Sequence, residues 1–208
     1  DGTLVHSNID FVQMKMDIIK FLSSMCGIQG LSAKDSTVNI VNKALKYMQE
    51  EKFTANKIRK ILFEISQIMD RYEEQALPRI AKIPGADYVL SEISKLRLKI
   101  GILTRSSLAY TIRALKKADL FKYVTAIEAR EDLIRAKPNP VALYNICQKL
   151  KLKTENVLFI GDHVIDFECA RKVNVEFIAF ISSDTKTVRI FPDMVPIIHD
   201  LRAVSYTH

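Results

Sequence analysis

Four short stretches carry residue types that could do chemistry on a phosphate. GDHVID sets two carboxylates, Asp162 and Asp166, four residues apart. Hard oxygen ligands of this kind suit Mg²⁺, which takes one or two protein carboxylates and leaves positions for water and a substrate phosphate. The same stretch also reads as a helix N-cap followed by an acid placed against the helix dipole. ILTRSS contains Thr104, whose hydroxyl can donate to a phosphate oxygen next to the free N–H groups of a helix start. It reads equally as a plain capped helix start, with Ser106 as the cap. RAKPNP contains Lys137, and Pro138 and Pro140 stiffen the loop that would aim its ammonium at an anion. A lone lysine is otherwise a surface charge. The fourth stretch is Asp1-Gly2-Thr3, an acidic tight turn of the kind that leaves a strand.

The elements that must position these residues follow from periodicity. After Pro84 and Gly85 comes a helix to about Arg97, and then apolar runs alternate with helical ones: LKIGILT, a helix from Ser107 to Lys117, YVTAIEA, a helix after Pro140, NVLFIGD, a short helix, and VEFIAFI. Apolar strands separated by helices predict an α/β fold, a Rossmann-like parallel sheet with helices on both faces. Ligands in such sheets bind beyond the carboxyl ends of the strands. Thr104, the AKPNP loop, Asp162 and, if a strand precedes it, Asp1 then converge on one crevice.

From about Asn8 to Leu77 the pattern is helical. Ile58, Ile61, Leu62, Ile65, Ile68, Met69 and Tyr72 recur at three- and four-residue steps behind Thr54 as N-cap. Two earlier helical segments flank the break CGIQGLS. The expected organisation is therefore a core of residues 1–6 and 82–208 with an inserted all-helical cap of residues 7–81.

Composition narrows the class. With 208 residues and 48% hydrophobic content the chain can bury a sizeable core. The formal charge of +7 arises from 31 basic and 24 acidic residues interspersed on helical faces, without interleaved aromatics, so nucleic acid is not an expected partner. The excess suits anionic substrates. Cys26, Cys147 and Cys169 show no CxxC spacing and make an odd count, which suggests neither a disulfide framework nor a zinc site and fits a reduced, cytoplasmic compartment best. No apolar run reaches the length of a membrane span and no signal peptide is recognisable.

An acidic turn, a strand-end Thr, a Lys in a Pro-rich loop and a strand-end GDxxxD, in that order, resemble the motifs of the haloacid dehalogenase-like hydrolase superfamily. The branch with a helical cap between the first and second motifs, phosphoglycolate phosphatase-like and β-phosphoglucomutase-like, is the nearest in layout. The resemblance implies a phosphoric monoester hydrolase that uses Mg²⁺ and an aspartyl-phosphate intermediate to release phosphate from a small metabolite, phosphoglycolate- or sugar-phosphate-like. Asp1 matches the general acid/base aspartate of DxDGT, an acid suited to an alcohol leaving group. The nucleophile would sit two residues earlier, with the first strand upstream of Asp1.

By the same resemblance Thr104 and Lys137 hold the transferring group, and Gly2, Thr104, Arg105 and Lys137 bind phosphate. Asp162 and the backbone carbonyl of Asp1 face the metal, with Asp166 as a supporting acid. Residues Asp10 to Lys15 and the loop Gly27 to Ser32 are the candidate specificity stretches of the cap. His6 and His163 receive no role. Two alternatives stay open: a phosphomutase, and a non-catalytic binding or regulatory protein without the nucleophile.

Overall fold

The computed structural model describes residues 1–182 and 191–206. Residues 183–190, 207 and 208, within the expected core range, lie outside the described residues. The chain divides into two compact units, one of residues 1–7 and 77–208 and the other of residues 8–76. The first unit is α/β. Ser7 and residues 77–81, assigned by pattern to the insertion, belong to this unit. Ser7 bonds to Asp1, and β2 (Ala81–Lys82) pairs antiparallel with β1 (Val5–His6). That antiparallel ribbon is absent from the sequence expectation, because two-residue strands leave no periodic signal.

The remaining strands are parallel. β3 (Gly101–Leu103) pairs with β4 (Ala126–Glu128), and β5 (Leu158–Gly161), β6 (Glu176–Phe180) and β7 (Ile197–Ile198) form a second sheet in that order. Among the described residues β3 pairs only with β4 and β5 only with β6. The helices of this unit are α4 (Ala86–Lys95), α5 (Leu108–Lys117), α6 (Pro140–Leu150) and α7 (Val164–Arg171). α6 starts where the sequence places it, with Pro140 in the first turn, where its missing N–H costs nothing, and Asn139 as N-cap.

The core beneath the strand ends is built from periodic apolar positions. Leu143, Ile146 and Leu150 on α6 meet Cys169 and Ala170 on α7 and Phe177 and Ala179 on β6. Phe177 stands edge-on to Phe159 of β5 at 5.7 Å, and Phe167 of α7 lies 5.8 Å from it. This packing fixes α7 against β5 and β6, and hence where the loop between β5 and α7 points.

The second unit is a three-helix bundle of α1 (Phe11–Cys26), α2 (Thr37–Glu50) and α3 (Ala55–Ala76). Met14, Ile18 and Leu22 of α1, Ile40, Val41 and Met48 of α2, and Ile61, Ile65 and Met69 of α3 are buried. The Thr54 hydroxyl accepts from the Lys57 N–H at 3.3 Å, so the predicted cap of α3 is present. Across the bundle Tyr72 donates to Asp17 at 2.6 Å, tying α3 to α1. The Tyr72 hydroxyl and, less strongly, the Gln13 amide hold the Asp17 carboxyl below the usual carboxylate range, while Asp17 pushes Tyr72 up to about 12. The two stretches singled out for specificity have structural duties: Asp10 caps α1, accepting from the Gln13 N–H, and Gly27 ends it in a left-handed conformation.

Candidate active site

The turn at the start of the chain is packed onto the end of β5. Thr3 donates its hydroxyl to Asp162 Oδ1 at 2.9 Å. Gly2 has φ +81, and a side chain there would run into the Asp162 carboxylate, so the position demands glycine twice over. Its N–H is used inside the turn, donating to the Val5 carbonyl at 2.8 Å and to Asp1 Oδ1 at 3.0 Å. Asp1 is oriented by Ser7, whose N–H donates to Oδ1 at 3.0 Å and whose hydroxyl donates to Oδ2. Asp1 and Asp162 thus lie on two surfaces in contact, as the motif order predicts.

Asp166 occupies the first turn of α7, with both oxygens engaged. Oδ1 takes the Lys137 ammonium at 2.6 Å, and Oδ2 accepts the His163 N–H at 3.1 Å. Gly161 gives it room: a Cβ there would come within 2.6 Å of the Asp166 Cβ. His163, to which the sequence assigned nothing, is the N-cap of α7. Its Nδ1 accepts from the Ile165 N–H at 3.1 Å, completing a capping box with Asp166. The N-cap reading of GDHVID therefore applies one residue later than Asp162.

Lys137 joins two elements. Besides Asp166 it donates to the Leu103 carbonyl at 2.9 Å, so one ammonium ties the end of β3 to the start of α7, and it stands 5.6 Å from the centre of the Phe159 ring. Its side chain is 11% exposed and that of Asp166 7%, which makes this a buried pair and excludes the surface-lysine reading.

Thr104 follows β3 directly. Its N–H donates to the Glu128 carbonyl at 2.9 Å, and its Oγ1 accepts the Ser106 N–H at 3.1 Å, which leaves the hydroxyl proton for an outside acceptor. The cap of α5 is Ser107, not Ser106, because Ser106 is drawn into the Thr104 turn and its carbonyl accepts the Arg130 N–H. Arg105, between them, is largely buried, and burial followed by the neighbouring Arg130 charge pushes its guanidinium down to about 10. It remains cationic at neutral pH.

The donor chemistry fits Mg²⁺. Asp162 is buried at 8% exposure, offers only oxygen, and adjoins the Asp1 turn, matching a hard cation that needs one or two protein carboxylates. No group of three or more His, Cys, Asp or Glu side chains that could cage a metal occurs among the described residues. Ser7, Thr3, His163 and Arg130 were missed by the sequence reading. Thr3 alone had a signal, its place in the Asp1-Gly2-Thr3 turn.

The chain is 26% identical over 109 residues to a phosphoglycolate phosphatase of Photorhabdus laumondii, covering 52% of this chain and 47% of that protein. It is 23% identical over 177 residues to an N-acetylmuramic acid 6-phosphate phosphatase of Pseudomonas putida, covering 82% and 75%. The chain spans about half the length of the curated phosphoglycolate phosphatases it matches. Among solved structures, a predicted phosphoglycolate phosphatase of Haemophilus somnus aligns over 100% of this chain and 95% of its own at TM-score 0.65 and 17% identity. A hydrolase of Pseudomonas syringae aligns over 100% and 95% at TM-score 0.63 and 21% identity. These likenesses share the fold. The profile of the haloacid dehalogenase-like hydrolases matches residues 1–180. With that span covering both the turn at Asp1 and the carboxylates after β5, the chain belongs to the haloacid dehalogenase-like hydrolase family.

Proposed function

We propose that this chain forms the catalytic body of a Mg²⁺-dependent phosphatase acting on a small phosphorylated metabolite of the phosphoglycolate or sugar-phosphate kind. One observation carries the reading: Lys137 is held in a buried bridge between Asp166 and the carbonyl of Leu103, the residue that precedes Thr104. A buried ammonium at the end of the strand that leads into a hydroxyl-bearing loop suits the charge of a phosphoryl group. The names of the relatives, which are phosphatases for phosphorylated small molecules, support the same class.

In this reading Thr104 and Lys137 position the phosphoryl group, with Arg105 beside them, and Gly2 lets the first turn lie flat on Asp162. Asp162 and the Asp1 backbone carbonyl would hold Mg²⁺, with Asp166 supporting through Lys137. When bound, the ion neutralises phosphate charge. The Asp1 carboxylate, aimed by Ser7, protonates the leaving oxygen and then draws a proton from water. The helical unit is the proposed cap. The free thiols Cys26, Cys147 and Cys169 suit a reducing compartment, in which we place the protein.

The experiment is a hydrolysis screen on the full-length protein with Mg²⁺, using 2-phosphoglycolate, N-acetylmuramic acid 6-phosphate and hexose phosphates. The expected result is phosphate release that a chelator abolishes and Mg²⁺ restores, with Asp162→Asn lowering kcat/KM by about 10² or more. No release from any ester overturns the reading. Accumulation of a sugar bisphosphate in place of free phosphate would make the enzyme a mutase.

A further inference from the structure

Basic residues are interspersed with acids along the sequence, but the fold gathers their excess at one end of the α/β unit. Four connections, at 95–100, 116–125, 149–157 and 171–175, run from the last residues of a helix into β3, β4, β5 and β6. Parallel pairing puts the strand starts of each sheet at a common end, and Lys99 joins the two sheets there, its ammonium donating to the Leu150 carbonyl at 2.6 Å. The candidate site lies at the other end, after β3 and β5. Of the 31 basic and 24 acidic residues in the chain, eleven and two fall in these four connections, which leaves 20 and 22 for all the rest. The net positive charge of the chain therefore resides at this end.

All eleven of these cations are exposed. Four are paired with an acid. Arg97, Lys116, Lys117, Lys151 and Arg171 have no acid partner among the described residues, and residues 191–196, which lead into β7, add one acid, Asp193, and no cation. Cations collected in this way attract anions. The same end also presents aliphatic side chains to water: Leu96 is 59% exposed, Leu98 49% and Met194 83%. Met194 lines a shallow hollow of about 270 Å³ together with Arg171 and Asn174, and Leu96 and Leu98 alternate with Lys95, Arg97 and Lys99. Charge and aliphatic surface are thus interleaved.

That mixture selects the partner. Single-stranded nucleic acid needs bare aromatic faces on which bases stack, whereas here Lys116 stands over the Phe121 ring at 5.4 Å and Lys122 over Tyr123 at 5.3 Å. Aliphatic side chains among cations gain instead at the boundary between anionic headgroups and acyl chains. We infer that this end of the α/β unit is a peripheral docking surface for an anionic lipid bilayer, with the lysines and arginines of the four connections on the headgroups and Leu96, Leu98 and Met194 set into the interface. Attachment of this kind needs no membrane-spanning helix and is screened by salt. The anionic leaflet of a cell membrane faces the cytoplasm, in keeping with the reducing compartment proposed above. The strand ends that carry Thr104 and Asp162 would point away from the lipid, so the inference uses no residue of the candidate site and does not depend on the phosphatase reading.

The test is co-sedimentation of the full-length protein with vesicles of phosphatidylcholine alone and of phosphatidylcholine carrying about one-third phosphatidylserine. The expected result at physiological ionic strength is at least about tenfold tighter binding to the anionic vesicles, lost at about 1 M NaCl. Arg97→Gln, Lys151→Gln and Arg171→Gln combined should lower that binding about tenfold or more. Lys34→Gln, Lys52→Gln and Lys60→Gln combined, which remove the same charge from the helical unit, should change it less than about twofold. Leu96→Ser with Leu98→Ser should weaken binding while leaving it sensitive to salt. An unaltered protein with no preference for anionic vesicles overturns the inference whether or not the variants fold, and so does an equal loss from the two sets of glutamine substitutions. Displacement from the vesicles by polyuridylate, with the leucine substitutions without effect, would assign the surface to nucleic acid. A dimer in lipid-free solution that the leucine substitutions dissociate would assign it to a second copy of the chain. Either of those results overturns the bilayer as the partner.

Discussion

Replacing Lys137 with methionine removes the cation from a buried pair while keeping most of the side-chain volume. In the folded protein the ammonium lies 2.6 Å from Asp166 Oδ1, and both side chains are almost out of contact with water, at 11% and 7% exposure. At an effective dielectric constant of about 20 the gross attraction at that separation is about 6 kcal/mol. The cost of desolvating the lysine, which the substitution avoids, offsets part of it. Asp166 then stays buried with one remaining donor, the His163 N–H, and the Leu103 carbonyl loses its partner. Breaking a buried pair from one side typically costs about 3–5 kcal/mol, and that is the expected destabilisation of Lys137→Met. With a urea m-value of roughly 2–3 kcal/mol per molar, the midpoint followed by circular dichroism should fall by more than about 1 M. The double variant Lys137→Met, Asp166→Asn separates charge from packing, because the amide oxygen can still accept the His163 N–H with no charge left unpaired. It should recover at least about 2 kcal/mol of the loss. A single variant within about 1 kcal/mol of the unaltered protein, or a double variant no more stable than the single, would refute the buried-pair account.

Other outcomes follow from individual contacts. Gly2→Ala places a Cβ against the Asp162 carboxylate in a left-handed backbone. It should lower the thermal midpoint by the equivalent of about 1–2 kcal/mol from backbone strain alone, and it should weaken Mg²⁺ dependence in the hydrolysis assay. Gly161→Ala, whose Cβ would meet Asp166, should act alike on stability. Tyr72→Phe removes the main cause of the low Asp17 titration, so the Asp17 carboxyl resonance should titrate at higher pH in the variant. The signs are fixed by linkage. Asp17 titrates lower when folded, so its contribution is complete above the ordinary carboxylate range and is lost as pH falls through the folded value. Tyr72 titrates higher, so its contribution is complete below its ordinary value and is lost as pH rises through about 12. Burial pushes the Cys169 thiol up to about 11 and also raises Cys147. Burial raises Cys26 too, so exposure decides the order: a thiol reagent at pH 8 should label the partly exposed Cys26 first, with the buried Cys147 and Cys169 reacting only on unfolding, as read by intact mass.

Much of this molecule is legible along the chain, for local reasons. The stripe from Ile61 to Met69 makes α3 amphipathic, Thr54 caps it, and Pro140 behind Asn139 starts α6. The apolar runs around Gly101–Leu103, Ala126–Glu128, Leu158–Gly161 and Glu176–Phe180 become strands, and the polar residues just after three of them line the candidate site. The boundaries move where a side chain from elsewhere intervenes. Arg130 and Thr104 bind Ser106, so the cap passes to Ser107.

Residue types, their order and their periods determine the α/β class, the helical insertion and the four motifs, because each depends on neighbours within a few positions. Which atoms meet is decided by the tertiary structure alone. Thr3 reaches Asp162 across 159 positions, Lys137 spans from Leu103 to Asp166, Ser7 turns back on Asp1, and Arg130 folds onto the Arg105 carbonyl. Those contacts exist because the core of α6, α7 and β6 sets where the strand ends converge. Convergence is a sum of many packing contacts distant in sequence, so no single stretch of the chain encodes it.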